Sequence, residues 1–439
     1  MPAGYPKPSL AWACVAILVV AYALSFVDRM ILTLLVDPIR ADLRLGDVQI
    51  SLLQGFSFAL FYTFAGIPIG RLVDSGRRTR IIAIGIALWS LMTAACGLAR
   101  QYWQLFLARA GVGVGEASLA PAAYSLLSDL FPPERRGLAF GIFSSGSSIG
   151  SGLALVIGGW VVGEVTATGA RELPWLGLLQ PWQLTFVYIG VPGLLVALLV
   201  LLIPEPARRL EAVQGAAPAQ AAVPLREVLA YYRRHARTIG LHHLAVGLAG
   251  MASYGVISWV PVMLMRVQGW GPQRVGLLVG GCILTAGTIG VIAGGWLGDH
   301  LIRKGHPTGR LMAAALSMVI GLAGGVSYPL LDAPVPITAC LWVGMLGGFM
   351  VIGCSAAALM DVMPNRLRGQ ATAIYFFISN LIGLGAGPTV VALFTDFVFG
   401  TPGSVRYSLL IVPPVIYVLA ALCFWVARGP YRLSLAAQS

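Results

Sequence analysis

The amino-acid sequence predicts an all-α membrane protein, with twelve transmembrane helices in two six-helix pseudo-symmetric bundles. Three observations carry that expectation. The 439 residues are 58% hydrophobic and only 10% charged, with a mean hydropathy of +0.83, whereas soluble domains carry roughly 25% charged residues. Apolar runs near the roughly 20 residues needed to cross a bilayer recur along the whole chain. The two halves also repeat one another.

The runs fall at 12–36, 49–69, 81–99, 104–127, 137–162, 183–203, 239–264, 275–297, 311–330, 336–360, 370–395 and 407–427. The first continues past an "AYA" at 21–23 that resembles a signal-peptidase site, and it is needed for the repeat, so it is expected to remain as an uncleaved helix. The runs assign alternate sides to the loops, and the 29 Lys+Arg sort unevenly between them. Only Arg40, Arg44, Arg100, Arg171, Arg266, Arg274 and Arg406 fall on one side, with Arg29 and Arg109 inside spans. The other side holds the rest, which by the positive-inside rule puts both termini in the cytoplasm; the expected location is a bacterial inner membrane. The net charge of +12 is therefore read as topology rather than as nucleic-acid binding.

"DLFPPERRGLA" from Asp129 and "DVMPNRLRGQA" from Asp361 share D-x-x-P-x-x-x-R-G-x-A at an offset of 232. A weaker pair, "GRLVD" ending at Asp74 and "GWLGD" ending at Asp299, has an offset of 225. Such motifs after equivalent spans are what parallel repeats about an axis along the membrane normal produce. The expected domains are an amino-terminal bundle (1–203), a cytoplasmic linker (204–237) and a carboxy-terminal bundle (238–439). Within the linker, Leu225, Val228, Leu229 and Tyr232 at i, i+3, i+4 and i+7, with Arg226, Arg233 and Arg234 elsewhere, mark a basic amphipathic helix. It either lies on the inner leaflet or serves as a soluble connector.

Four ionisable residues fall at membrane depth: Asp28, Arg29, Arg109 and Glu116. Each costs at least about 2.5 to 3.5 kcal/mol on insertion scales, so each should face a partner or a water-filled cavity. Seven residues of helix turn about 700°, which places Arg109 and Glu116 on one face about 10 Å apart, too far for a direct bond. Asp28 falls at a depth between them. A proton-exchanging cluster of Asp28, Arg109 and Glu116 is expected, with Arg109 available to hold an anionic head group; a static ion network is the competing reading. Gly111, Gly113 and Gly115 between the charges read as helix packing.

"FVDRM" in the first span, "GRLVD" after the second, "ALWSLMT" in the third and "RAGVGVGEAS…SDLF" in the fourth resemble the Spinster-like branch of the major facilitator superfamily. The resemblance implies alternating-access transport, proton coupling on Asp28 and Glu116, and Arg29 and Arg109 as charge partners or anion-binding groups. It also implies a cytoplasmic gate pairing Asp74 with Arg368, supported by Arg78, although Ser75 stands where the family's loop motif has arginine. Because members of the family export lysophospholipids and sphingosine phosphate, the implied substrate is an anionic amphiphile. Few polar side chains punctuate the later spans, and Tyr254, Tyr375 and Asn380 are the candidates for lining a substrate chamber.

Small organic anions such as sugar acids, or amphiphilic drugs, are the alternative substrates, and a non-transporting membrane sensor is a remote one. No enzyme activity, cofactor or metal site is expected. "GSSIG" at 146–150 lacks the strand-to-helix turn of a hydrolase elbow, no phosphate-binding G-x-x-x-x-G-K-[ST] is present, and adjacent His242 and His243 read as interfacial rather than metal-binding. All six cysteines fall in apolar spans and read as packing. The expected partners are a small-molecule or lipid substrate, protons and membrane lipid, with the chain acting as a monomer.

Overall fold

The computed structural model describes residues 5–174, 177–206, 225–364 and 367–436. The chain divides into two compact units, Met1–Arg209 with Val260–Leu284, and Leu210–Trp259 with Thr285–Ser439.

The first unit opens with α1 (Pro8–Leu34), α2 (Val36–Leu43) and α3 (Asp47–Ser51), which runs through a π-helical turn, Leu52–Phe56, into α4 (Ser57–Ser75). Then come α5 (Arg78–Cys96), α6 (Tyr102–Glu116), α7 (Leu119–Leu130) and α8 (Pro133–Thr168). A hairpin, β1 (Arg171–Leu173) with β2 (Gly177–Leu179), pairs Arg171 with Leu179 in antiparallel register and leads into α9 (Pro181–Leu201). Prolines at the first positions of α1 and α9 use a site whose backbone N–H has no helical partner in any case. Gly169, at φ +75°, stops α8 in a conformation that favours glycine.

The later elements are α10 (Leu225–Arg234), α11 (Ala236–Arg266), α12 (Pro272–Cys282), α13 (Thr288–Arg303), α14 (Gly309–Gly325), α15 (Pro334–Val362), α16 (Arg368–Ile378), α17 (Gly387–Leu393) and α18 (Val405–Ala436). Further π-helical turns join α12 to α13 and α16 to α17. The end of α11 and all of α12 fall in the first unit, where α12 packs on α8. That contact is tight: a Cβ on Gly276 would meet the Leu155 carbonyl at 2.1 Å, and one on Gly159 the Pro272 carbonyl at 2.4 Å.

Among the described residues, eleven helices are long and apolar enough to cross a membrane. The expected fourth span is the exception, because it is broken at Ala117–Ser118 into α6 and α7. Pro121 explains the break: it has no N–H to give the Ala117 carbonyl, so the helix restarts with proline in its first turn. Taken together α6 and α7 supply the twelfth crossing. Large apolar side chains such as Phe64, Ile67, Leu195, Trp296 and Trp425 face outward, as a surface solvated by lipid requires.

The repeat is held by equivalent ion pairs. Arg78 binds Asp129 in the first unit and Arg310 binds Asp361 in the second, so both partners keep the offset of 232. The environments differ. Arg78 is 1% exposed and also bonds Glu205 (2.8 Å), the Ser125 carbonyl (3.0 Å) and the Pro206 carbonyl (3.0 Å). Arg310 is more open and shares its charge with Asp299 at 3.0 Å. Beyond the other end of α4, Asp47 is fully buried and accepts a two-pronged bond from Arg266 (2.6 and 2.8 Å), which also reaches Asp37 at 2.7 Å.

Two expectations change here. His242 and His243 are buried inside the second unit rather than interfacial, because the Tyr232 hydroxyl, the Ser355 carbonyl and each other satisfy their ring nitrogens. Arg78, expected as a supporting charge, is the hub of its network. Arg368 donates to the Met360 and Met363 carbonyls at the end of α15 (3.1 and 3.3 Å). The side chain of Asp74 lies outside the described residues. The linker helix forms as α10, with Val228 buried and Leu229 exposed; the Ala/Pro/Gln-rich centre of the linker lies outside the described residues.

Glu205 lies beyond the membrane spans. Burial raises its carboxyl, but the Thr79 backbone N–H and the Arg78 and Thr79 side chains outweigh that and hold it below the usual value. Because the folded value is depressed, the stability it lends is whole above about pH 4.3 and fades as pH falls through the lower folded value. Removing one partner of a buried pair costs about 3 to 5 kcal/mol, against about 1 kcal/mol or less for an exposed one. Thermal unfolding should therefore show a larger loss for Arg78→Gln than for Arg310→Gln, and Glu205→Gln should flatten the acid limb of the parent's stability profile.

Candidate functional site

The four charges expected at membrane depth converge inside the first unit. α6 starts at Gln101, where the Gln104 side chain accepts from the backbone N–H groups of Arg100 (2.7 Å) and Gln101 (3.1 Å) and satisfies two otherwise orphaned donors. The helix then carries Arg109 and Glu116 on one face and ends at Glu116. α1 runs unbroken through Asp28 and Arg29, whose side chains leave the helix about 100° apart and meet different partners.

Glu116 pairs with Arg29, whose Nε donates to Oε2 at 2.7 Å while a second guanidinium nitrogen approaches the same oxygen. Arg109 donates through Nη1 to the Asp28 carbonyl oxygen at 2.9 Å and through Nε to the Leu53 carbonyl oxygen at 3.4 Å. Leu53 lies in the π-helical turn, where the backbone ladder is widened, and its carbonyl also accepts from the Ser57 hydroxyl. Arg109 is thus tied to the backbone of α1 and of the turn before α4, and not to a carboxylate. The expected gap between Arg109 and Glu116 is filled from α1, in keeping with the two-turn separation.

Asp28, Arg109 and Glu116 are each at most 2% exposed, whereas the Arg29 side chain is 16% exposed. Asp28 lies within electrostatic range of Glu116, Arg109 and Arg29, and Thr93 stands beside it. Asp28 Oδ1, Glu116 Oε1, Arg109 Nη2 and both amide atoms of Gln54 have no protein partner among the described residues. A buried polar group without a partner costs free energy. A cluster that keeps several such atoms has hydrogen-bonding capacity beyond what holding the helices together uses.

Aromatic rings enclose the more accessible cation. The Arg29 guanidinium lies 4.3 Å from the Phe58 ring centre, 4.8 Å from Phe26 and 5.5 Å from Tyr62, within cation–π range. Arg109, expected with Arg29 as a charge partner or anion-binding group, is fully enclosed. Sequence reasoning missed Gln54 and Thr93. A neutral amide in the apolar run "SLLQGFSFAL" is a signal of the same kind as a buried charge, only weaker.

The glycines hold the cluster together by letting helices touch. A Cβ on Gly113 would meet the Phe58 carbonyl at 2.8 Å, and one on Gly115 the Trp89 nitrogen and Gly85 carbonyl at 2.7 Å. α6 therefore lies directly on α4 and α5, as the packing reading of these glycines expects. In the second unit Tyr254 and Asn380 are half-buried, with Asn380 in the π-helical turn Ser379–Ala386. Tyr375 is buried, with its hydroxyl bonded to Ser355 Oγ at 2.9 Å.

Apolar crossings in two repeated halves, with acids and arginines gathered inside one of them, define a multi-pass membrane transporter. The family model of the Major Facilitator Superfamily matches residues 18–388, and the chain belongs to that family. It is 27% identical over 428 residues to an MFS-type efflux pump of Mycolicibacterium smegmatis, covering 97% of this chain and 94% of that protein. It is 24% identical to a probable L-galactonate transporter of Escherichia coli (93% and 88% covered). The sphingosine-1-phosphate transporter SPNS2 of Mus musculus is 25% identical (95% and 77% covered). The solved structure of a bacterial homolog of the human lysosomal transporter Spinster, inward-facing and unoccupied, superposes with a TM-score of 0.78 at 24% identity over 98% of both chains. These likenesses support the Spinster-like branch that the motifs of the first four spans resemble.

Adding side chains at the tight glycines should break the cluster's frame, since overpacking costs about 1 to 3 kcal/mol or more. Gly115→Val should lower the unfolding temperature, while Gly66→Val, where nothing lies within 4 Å of the new Cβ, should leave it unchanged.

Proposed function

We propose that the chain is a proton-coupled, alternating-access transporter of an anionic amphiphile, such as a lysophospholipid or a sphingosine-phosphate-like lipid. The observation that carries this reading is the Arg29–Glu116 pair, buried on its acidic side and ringed by Phe26, Phe58 and Tyr62 on its basic side. Desolvation favours a neutral carboxyl and a neighbouring guanidinium favours a charged one, so the proton and the ion pair compete. A proton arriving on Glu116 removes Arg29's counter-charge, and the freed guanidinium is then matched to a phosphate or carboxylate head group. Asp28, with an unpartnered oxygen in electrostatic range of both, is the second proton-accepting group. Arg109 holds α1 and α4 in register around the exchange.

The apolar character of the substrate is supported by the aromatic enclosure of Arg29, the scarcity of polar groups in the later spans and the likeness to the mouse sphingosine-1-phosphate transporter. Small organic anions form a second reading, favoured by the likeness to the Escherichia coli probable L-galactonate transporter, whose named substrate is a sugar acid. The uneven distribution of Lys and Arg supports an orientation with both termini in the cytoplasm.

The test is internal pH in proteoliposomes challenged with lysophospholipids and with sugar acids. Proton flux should appear with the lipids and fall to background in Glu116→Gln and in Asp28→Asn, with folding intact by thermal unfolding. Arg29→Lys should weaken lipid binding more than it weakens folding, since lysine keeps the charge but not the planar fork. Flux with sugar acids alone would transfer the assignment to the second reading, and undiminished flux in Glu116→Gln would remove that residue from coupling.

A further inference from the structure

A second buried polar cluster lies in the second unit, apart from the Asp28–Glu116 site. His242 and His243, in the first turns of α11, are 2% and 5% exposed. Their contacts permit one arrangement of protons when both rings are neutral. His242 Nε2 lies 2.9 Å from the Ser355 carbonyl oxygen, which can only accept, so Nε2 carries the hydrogen. His242 Nδ1 is then an acceptor, and His243 Nδ1, 3.2 Å away, must donate to it. That leaves His243 Nε2 as the acceptor for the Tyr232 hydroxyl at 3.3 Å. Tyr232 belongs to α10, so the chain of bonds runs from the linker helix to the inside of α15.

The surroundings offer no charge to balance a proton. Tyr232 faces the pair from α10, Ser355 from α15 with Cys354 beside it, and Tyr375 from α16, its ring centre 6.1 and 6.3 Å from the two imidazoles. α18 contributes the Phe424 ring at 6.3 Å. Among the described residues no carboxylate and no arginine acts on either ring. His235, between α10 and α11 with Tyr231, Arg233, Arg234 and Arg237 close to it in the chain, stacks on Tyr231, and its Nδ1 lies 3.1 Å from Ser434 Oγ. Burial and Arg234 hold its imidazole below its usual value.

We propose that His242 and His243 form a proton-controlled anchor for the linker helix: neutral, they hold α10 through Tyr232; protonated, they release it. An added proton has two places to go. On His242 Nδ1 it faces the N–H of His243, and two donors cannot share one hydrogen bond. On His243 Nε2 it leaves an imidazolium among hydroxyls and aromatic rings, and an unpaired buried charge is costly. Both outcomes are relieved by admitting water where Tyr232 meets His243, which leaves α10 tied to α15 by the bond from the Tyr231 hydroxyl to the Val362 carbonyl (2.5 Å). The anchor depends on none of the residues assigned to transport.

The test is amide hydrogen exchange across 225–234 in the full-length protein in lipid nanodiscs, each rate normalised to the unstructured peptide at the same pH. Between pH about 7.5 and about 5.5 the normalised rate in the parent should rise about tenfold. The rise should vanish in His243→Gln, Tyr232→Phe should exchange fast at both values, and His235→Gln should behave as the parent. A parent rate that does not change with pH overturns the proposal whether or not the histidine variants fold. So does a rise that persists in His243→Gln, or a Tyr232→Phe profile that matches the parent.

Discussion

A guanidinium or carboxylate inside a membrane protein has to find its partners within the protein, and the arrangement of the first unit follows from how four such groups find theirs. Arg29 takes the carboxylate of Glu116, and Arg109 takes two backbone carbonyls. That choice requires α1, α4 and α6 to meet at one depth, and helices can meet so closely only where side chains are missing. Gly113 sets α6 against α4, and Gly115 sets it against α5. The π-helical turn before α4 presents the Leu53 carbonyl, and the break caused by Pro121 ends α6 at Glu116. The charges, the glycines and the irregular backbone are therefore one device and not three features.

The same logic acts at the ends of the helices with a different result. Arg78 and Arg310 each tie the start of one helix to the acid that ends another, at equivalent points of the repeat. These pairs stand at the margins of the apolar region, where carbonyls and further acids complete their coordination, as Glu205 does for Arg78. Buried ion pairs satisfied in this way fix which helices are neighbours. The central cluster differs because it retains unpartnered atoms, a hydrogen-bonding capacity that fastening the helices does not use.

The second unit shows how a structural duplication diverges. It keeps the Asp361 pairing, but among the described residues it has no acid–arginine cluster like that of Asp28 and Glu116; its buried polar groups include two imidazoles, hydroxyls and carbonyls. Neutral networks specify packing through their hydrogen-bond directions and stay sensitive to any added charge. The two units thus bury polar groups of opposite character, one built around formal charges and the other around tautomers.

The sequence by itself determined the membrane class, the twelve crossings and the repeat, because hydrocarbon imposes a length and a composition that appear directly as apolar runs. It also singled out Asp28, Arg29, Arg109 and Glu116, since charge in such runs is conspicuous whatever the fold. The partners were not legible. That Glu116 meets Arg29, that Arg109 meets carbonyls, and that Tyr375 belongs with Ser355 and the histidines depend on which helix faces which, and on a π turn and a proline break that rotate the faces. Periodicity along one helix carries no information about the neighbour it will touch, so those choices were made by the tertiary structure alone.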